Sequence, residues 1–147
     1  MNPLGVTKLI MKSVPIFLLL WVNISFGQTA NTSGCIPSTD TLTQRKVYLV
    51  ADTQPTVEGG MDKLYSEMSK SLKLPPNFHP TQTRVIIAFI VDDTGALTGM
   101  RTLKNIEGTD LSKQFIETVS RLKWEPGSCQ GTKIPVLLML PLVIDFN

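Results

Sequence analysis

Histidine and cysteine are nearly missing from this 147-residue chain, which holds one histidine, His79, and two cysteines, Cys35 and Cys129. Zinc asks for three or four nitrogen or sulfur ligands, so no metal is expected. His79 stands in the loop text Pro76-Asn77-Phe78-His79-Pro80, which suits a solvated residue better than a catalyst. The chain also lacks any run of Lys or Arg and any interleaved aromatic stripe, so a nucleic-acid partner is not expected. A phosphate-cradling loop is absent too: Gly59-Gly60 precedes a helical pattern, but no Lys-Ser/Thr follows. The one carboxylate pair, Asp92-Asp93, opens a hairpin turn and is explained by that alone. Without a catalytic constellation or a cofactor motif, no enzyme activity and no cofactor are expected. A protein partner is.

Long hydrophobic runs are missing as well. The strongest, Val14 to Val22, has nine residues, where a spanning helix wants about 20. Lys8 and Lys12 precede it and Asn23-Ile24-Ser25-Phe26-Gly27-Gln28 follows. That order is a secretory signal, so residues 1–27 are expected to be a signal peptide. Ser25 and Gly27 fill the −3 and −1 positions, with cleavage before Gln28 and release into the periplasm. The competing reading is an uncleaved anchor in the inner membrane, and only a retained N-terminal segment would bring the chain to a membrane. Lipidation of Cys35 is set aside, because eight polar or small residues separate it from Phe26 and Thr32 holds its −3 position. The formal charge of +2 includes Lys8 and Lys12; without them 12 basic residues face 12 acidic ones. An exported protein with an even cysteine count is expected to bond Cys35 to Cys129.

Beyond the signal, residues 28–46 are rich in Thr, Ser and Asn without periodicity and read as a flexible polar leader. A domain is expected over 47–147. Val47 to Val50 is a short strand, ended by Thr53-Gln54-Pro55, and Gly59-Gly60 makes a sharp turn. Met61, Leu64, Tyr65, Met68 and Leu72 recur at the spacing of one helix face, stopped by Leu74-Pro75-Pro76. Arg84 to Val91 is apolar on both parities, as in a central strand covered on both faces or in one that turns a face to a partner. Asp92 to Gly95 turns the chain into a strand from Leu97 to Leu103, with a bulge expected near Thr98-Gly99. A second helix presents Leu111, Phe115, Thr118/Val119 and Leu122, with Thr109 or Asp110 as its cap. Trp124-Glu125-Pro126-Gly127 is expected to be a turn. Ile134 to Phe146 reads as the last strand, placed at a sheet edge because it contains Pro135 and Pro141. The order β-α-β-β-α-β predicts an α+β domain, two helices packed on a small antiparallel sheet.

Taken in order, these pieces resemble the C-terminal domain of TonB, the periplasmic energy transducer of Gram-negative bacteria, in the form common in Bacteroidetes. The resemblance rests on Pro55-x-x-x-Gly59-Gly60, Leu74-Pro75, Val85-x-Ile87-x-Phe89-x-Val91-Asp92-x-x-Gly95, Trp124-x-Pro126-Gly127 and a closing Ile144-x-Phe146. It covers about Val47 to Phe146. It implies that the chain binds a segment of an outer-membrane transporter by adding it as a strand to the last strand, at Val136, Leu137, Leu138, Met139 and Leu140. It also implies that two copies can pair strands with each other as a homodimer. The family's transducers carry a membrane anchor and a long proline-rich spacer, whereas only 19 residues run from Gln28 to Lys46 here. The reading that follows is a soluble periplasmic binding module. Its alternatives are an anchored transducer and a structural or assembly protein that keeps the fold without transport coupling.

Overall fold

The computed structural model describes residues 34–76 and 83–144; the expected signal peptide, its cleavage site, His79 and Phe146 lie outside them. The described chain is α+β. Nine strands and two helices follow one another as β1 (Ile36–Thr39), β2 (Lys46–Val50), β3 (Thr56–Val57), α1 (Met61–Ser71), β4 (Arg84–Val91), β5 (Leu97–Lys104), α2 (Leu111–Arg121), β6 (Trp124–Glu125), β7 (Gly127–Cys129), β8 (Thr132–Ile134) and β9 (Val136–Val143). The main sheet has the order β1-β2-β9-β4-β5, and two small ribbons, β3-β6 and β7-β8, flank it.

Alternation along β4 decides where the core sits. Val85, Ile87, Phe89 and Val91 are fully buried under the helices, together with Leu64 and Met68 of α1 and Leu111, Phe115 and Val119 of α2. Both helices begin where expected, at Met61 and Leu111, because their apolar residues recur every three or four positions, and each ends one residue early, with Leu72 and Leu122 already extended. On the way into α1 the turn needs glycine twice, since Gly59 and Gly60 hold φ of 95° and 87°. The hairpin glycine is constrained by packing as well: a Cβ on Gly95 would strike the Trp124 carbonyl oxygen. The expected bulge is present, because Ala88 pairs with Arg101 and Ile90 with Thr98, leaving Gly99 and Met100 opposite Phe89 alone.

Several expectations need correction. The leader is not featureless: Ile36–Thr39 pairs antiparallel with β2, and Asp40 beyond it is buried. Asp110 stands at the N-cap of α2 as expected, but its side chain makes no capping hydrogen bond, and Thr109 Oγ1 accepts the Leu111 N–H only at 3.5 Å. The Ser112 N–H donates 3.1 Å to Asn105 Oδ1, while Asp110 Oδ1 accepts from Gln114 Nε2 at 2.7 Å. The stretch from Trp124 is strand rather than turn, β6 pairing with β3 and β7 with β8. Trp124 ties α2 to β4. Its indole N–H reaches the Val119 carbonyl at 3.2 Å and its ring meets Phe89 edge-on at 5.1 Å between centroids. Most important, β9 is not a free sheet edge along its whole length. It pairs antiparallel with β4 from Val136 to Val143, and at its start it also pairs with β2, in parallel, through Tyr48 and Val136.

Candidate functional site

β9 carries eight residues, VLLMLPLV, without a charge. The backbone direction of each follows from two hydrogen bonds. Ile144 N–H donates to Thr83 O at 2.8 Å across the β4 side, and Tyr48 N–H donates to Pro135 O at 2.9 Å across the β2 side. The register between β4 and β9 runs without a shift, so even-numbered residues of β9 aim their backbone groups at β4 and odd-numbered ones aim away. Pro135 and Pro141 therefore both face away from β4, as their missing donors require.

β2 diverges after its single bridge at Tyr48. Among the described residues no other strand covers β9 on that side. The outward groups beyond Val136 are the carbonyls of Leu137, Met139, Pro141 and Val143 and the N–H groups of Met139 and Val143. Side-chain burial follows the same boundary. Val136 is fully buried, Leu137, Leu138, Leu140 and Leu142 are half-buried, and Met139 and Val143 are each 59% exposed. An apolar strand that loses its neighbour after one residue is an unfinished sheet edge.

The five residues expected to bind a partner are thus contiguous, but they are not equivalent. Val136 aims its backbone at β4 and stands at the centre of the β2 bridge, which is made through its neighbours, the Pro135 carbonyl among them; Leu137 to Leu140 run on from that bridge into the open part, which extends further to Val143. The motif residues Pro55, Gly59, Gly60, Gly95, Trp124, Pro126 and Gly127 are not in this edge; they shape turns and packing elsewhere. Gly127 is enclosed on three sides, with Val136 Cγ2, Thr53 O and Pro55 Cδ at 2.8, 2.9 and 3.0 Å from a Cβ built there.

The sheet face opposite the helices has a cover that periodicity could not reveal. The turn from Asp40 to Arg45 lies across it, since a Cβ on Gly99 would stand 3.0 Å from Thr43 Cγ2 and 3.6 Å from Ile90 Cδ1. Arg45 donates to both Asp92 oxygens at 2.9 and 3.0 Å, and to Thr98 Oγ1 at 3.1 Å. Asp40 Oδ2 accepts the Thr43 N–H and hydroxyl at 2.9 and 2.8 Å, while Oδ1 accepts Arg101 Nη2 at 2.6 Å. Burial alone would push the Asp40 carboxyl up; the Thr43 donors and the Arg101 guanidinium outweigh it and hold it below the usual carboxylate range. The cover leaves Ile90 and Ala88 buried and stops short of Met139.

The expected disulfide is present. Cys35 and Cys129 are bonded with their Cα atoms 6.2 Å apart, fastening the entry of β1 to the end of β7. Among the described residues no helix is long and apolar enough to cross a membrane. Comparison with protein-family models, with curated proteins and with solved structures finds no match to this chain.

Proposed function

We propose that this chain is an exported, non-catalytic binding module, similar to the C-terminal domain of TonB, that receives an extended segment of an outer-membrane transporter by strand addition on the open side of β9. The observation that carries the reading is the unfinished edge from Leu137 to Val143: uncharged, unpaired on one side and incompletely buried on both faces. An added strand would satisfy the Met139 and Val143 N–H groups and cover Met139, Val143 and the half-buried leucines. Pro141 leaves one gap in that ladder, so pairing is strongest around Leu137 to Met139. The disulfide supports the exported part of the reading, since such bonds persist in oxidising compartments.

Titration of isotope-labelled protein with peptides from candidate transporters is expected to shift the amide resonances of Leu137 to Val143. Met139→Pro removes the central donor and is expected to weaken binding about tenfold, the equivalent of one backbone hydrogen bond, while Met139→Leu leaves it unchanged. Shifts confined to the helices or the Asp92–Gly95 hairpin, with β9 silent, would overturn the reading. Such a result would favour a structural or assembly role, for which the β2 bridge at Val136 is the supporting observation. The intact mass of protein taken from the cell envelope is expected to correspond to a chain beginning at Gln28. A full-length mass in the inner-membrane fraction would favour an anchored transducer instead.

A further inference from the structure

Three chain segments meet where the disulfide lies, and a carboxylate meets them there. Asp52, just beyond β2, has an oxygen within 4.8 Å of the sulfurs of Cys35 and Cys129. Its Oδ2 accepts the Gln130 N–H at 2.8 Å, which fixes the carboxylate beside the sulfurs. Its Oδ1 lies 3.9 Å from where a Cβ on Gly34 would stand, on the approach to Cys35. Contacts other than the disulfide hold these segments together. β1 pairs with β2 and β7 with β8, and Thr53 and Ser128 exchange backbone hydrogen bonds at 3.1 and 2.9 Å. Opening the S–S bond therefore leaves the three side chains facing one another.

We propose that the dithiol form of this chain binds a thiophilic divalent cation, zinc by preference, between the Cys35 and Cys129 thiolates and the Asp52 carboxylate. Two thiolates bound to zinc at about 2.3 Å stand about 3.8 Å apart in a tetrahedral site. The Cα atoms of the two cysteines stand 6.2 Å apart, close enough for both side chains to reach one ion. Two sulfurs and one carboxylate oxygen make three ligands, and water completes the four-coordinate shell that zinc adopts. The sequence concealed this set because Asp52 is far along the chain from either cysteine and falls in no ligand spacing.

The chemistry balances with a small thiol as reductant. Two thiol molecules pass two electrons and two protons to the disulfide, yielding the Cys35 and Cys129 thiols and one small-molecule disulfide. The cation then displaces the two thiol protons as two metal–sulfur bonds form. In that form the cation replaces the covalent link between the start of β1 and the β7–β8 ribbon, so the same two chain segments are stapled in either redox state.

The test uses the mature chain, reduced, freed of reductant without oxygen, and titrated with cobalt(II) and then zinc. A thiolate-to-cobalt charge-transfer band is expected, saturating at one equivalent and abolished by zinc, and zinc is expected to raise the Tm of the dithiol form. The oxidised protein gives no band. Asp52→Asn keeps an oxygen for the Gln130 N–H but removes the anionic ligand, and is expected to weaken cobalt binding at least about tenfold. Absence of the band in the reduced wild type overturns the proposal. So does equal binding by Asp52→Asn, which would leave an ordinary thiol pair.

Discussion

Replacing Cys35 and Cys129 together by serine is expected to lower the stability of the domain by about 3–5 kcal/mol, measured as the shift in urea midpoint with a chelator present. The bond joins residues 94 apart in sequence, and constraining a loop of that length in the unfolded chain is worth about 4.7 kcal/mol on the entropic account. Were residues 28–46 a loose leader, much of that constraint would fall on chain outside the fold, and the loss would be smaller. β1 begins one residue after Cys35, however, and everything from β1 through β7 lies within the closed loop. Domains of this size hold roughly 5–15 kcal/mol in all, so the double variant is expected to be marginal at 37 °C. Equal midpoints for the variant and the oxidised wild type would show that the bond constrains chain outside the cooperative fold, with β1 only loosely attached.

What the sequence disclosed and what it hid divide along physical lines. α1, α2, β4 and the β4–β5 hairpin were legible because each is specified locally, by three-to-four spacing, by apolar residues on both parities, or by an Asp-Asp-Thr-Gly turn. Gly99 betrayed the bulge in the same way. β1 was illegible: Ile-Pro-Ser-Thr has turn-like composition, and only its pairing with β2 makes it a strand. The parallel contact of Tyr48 with Val136 joins residues far apart and leaves no local mark. That contact decides the candidate site, because it converts a whole free edge into one that opens only after Val136. The two prolines pointed to the correct side of β9, since a missing donor constrains orientation whatever the neighbour. They could not tell that β2 would fill the first position, where Pro135 needs only to accept.

Asp40 is the residue that nothing in the pattern singled out, and its replacement is expected to be the second most costly change. Its side chain is wholly buried, while that of Arg101 keeps 22% exposure. Removing one partner of a buried pair costs about 3–5 kcal/mol. Because Arg101 can turn toward water, Asp40→Ala is expected at the lower end, about 3 kcal/mol. Asp40→Asn keeps an acceptor for Thr43 and is expected to cost less, about 1–2 kcal/mol. The pH dependence separates charge from packing. The unfolded carboxyl titrates near pH 4, and the folded one below that, held down by Thr43 and Arg101 against the pull of burial. In the interval the unfolded chain binds the proton and the folded one does not, so acid favours unfolding. The contribution of Asp40 is thus complete above about pH 4 and disappears as the pH falls through the folded value. Urea midpoints of wild type and Asp40→Asn, followed from pH 7 to pH 3, are expected to converge only below about pH 4. A constant gap across that range would mean that the turn over Ile90 is held by shape and neutral hydrogen bonds, with the charge of Asp40 incidental.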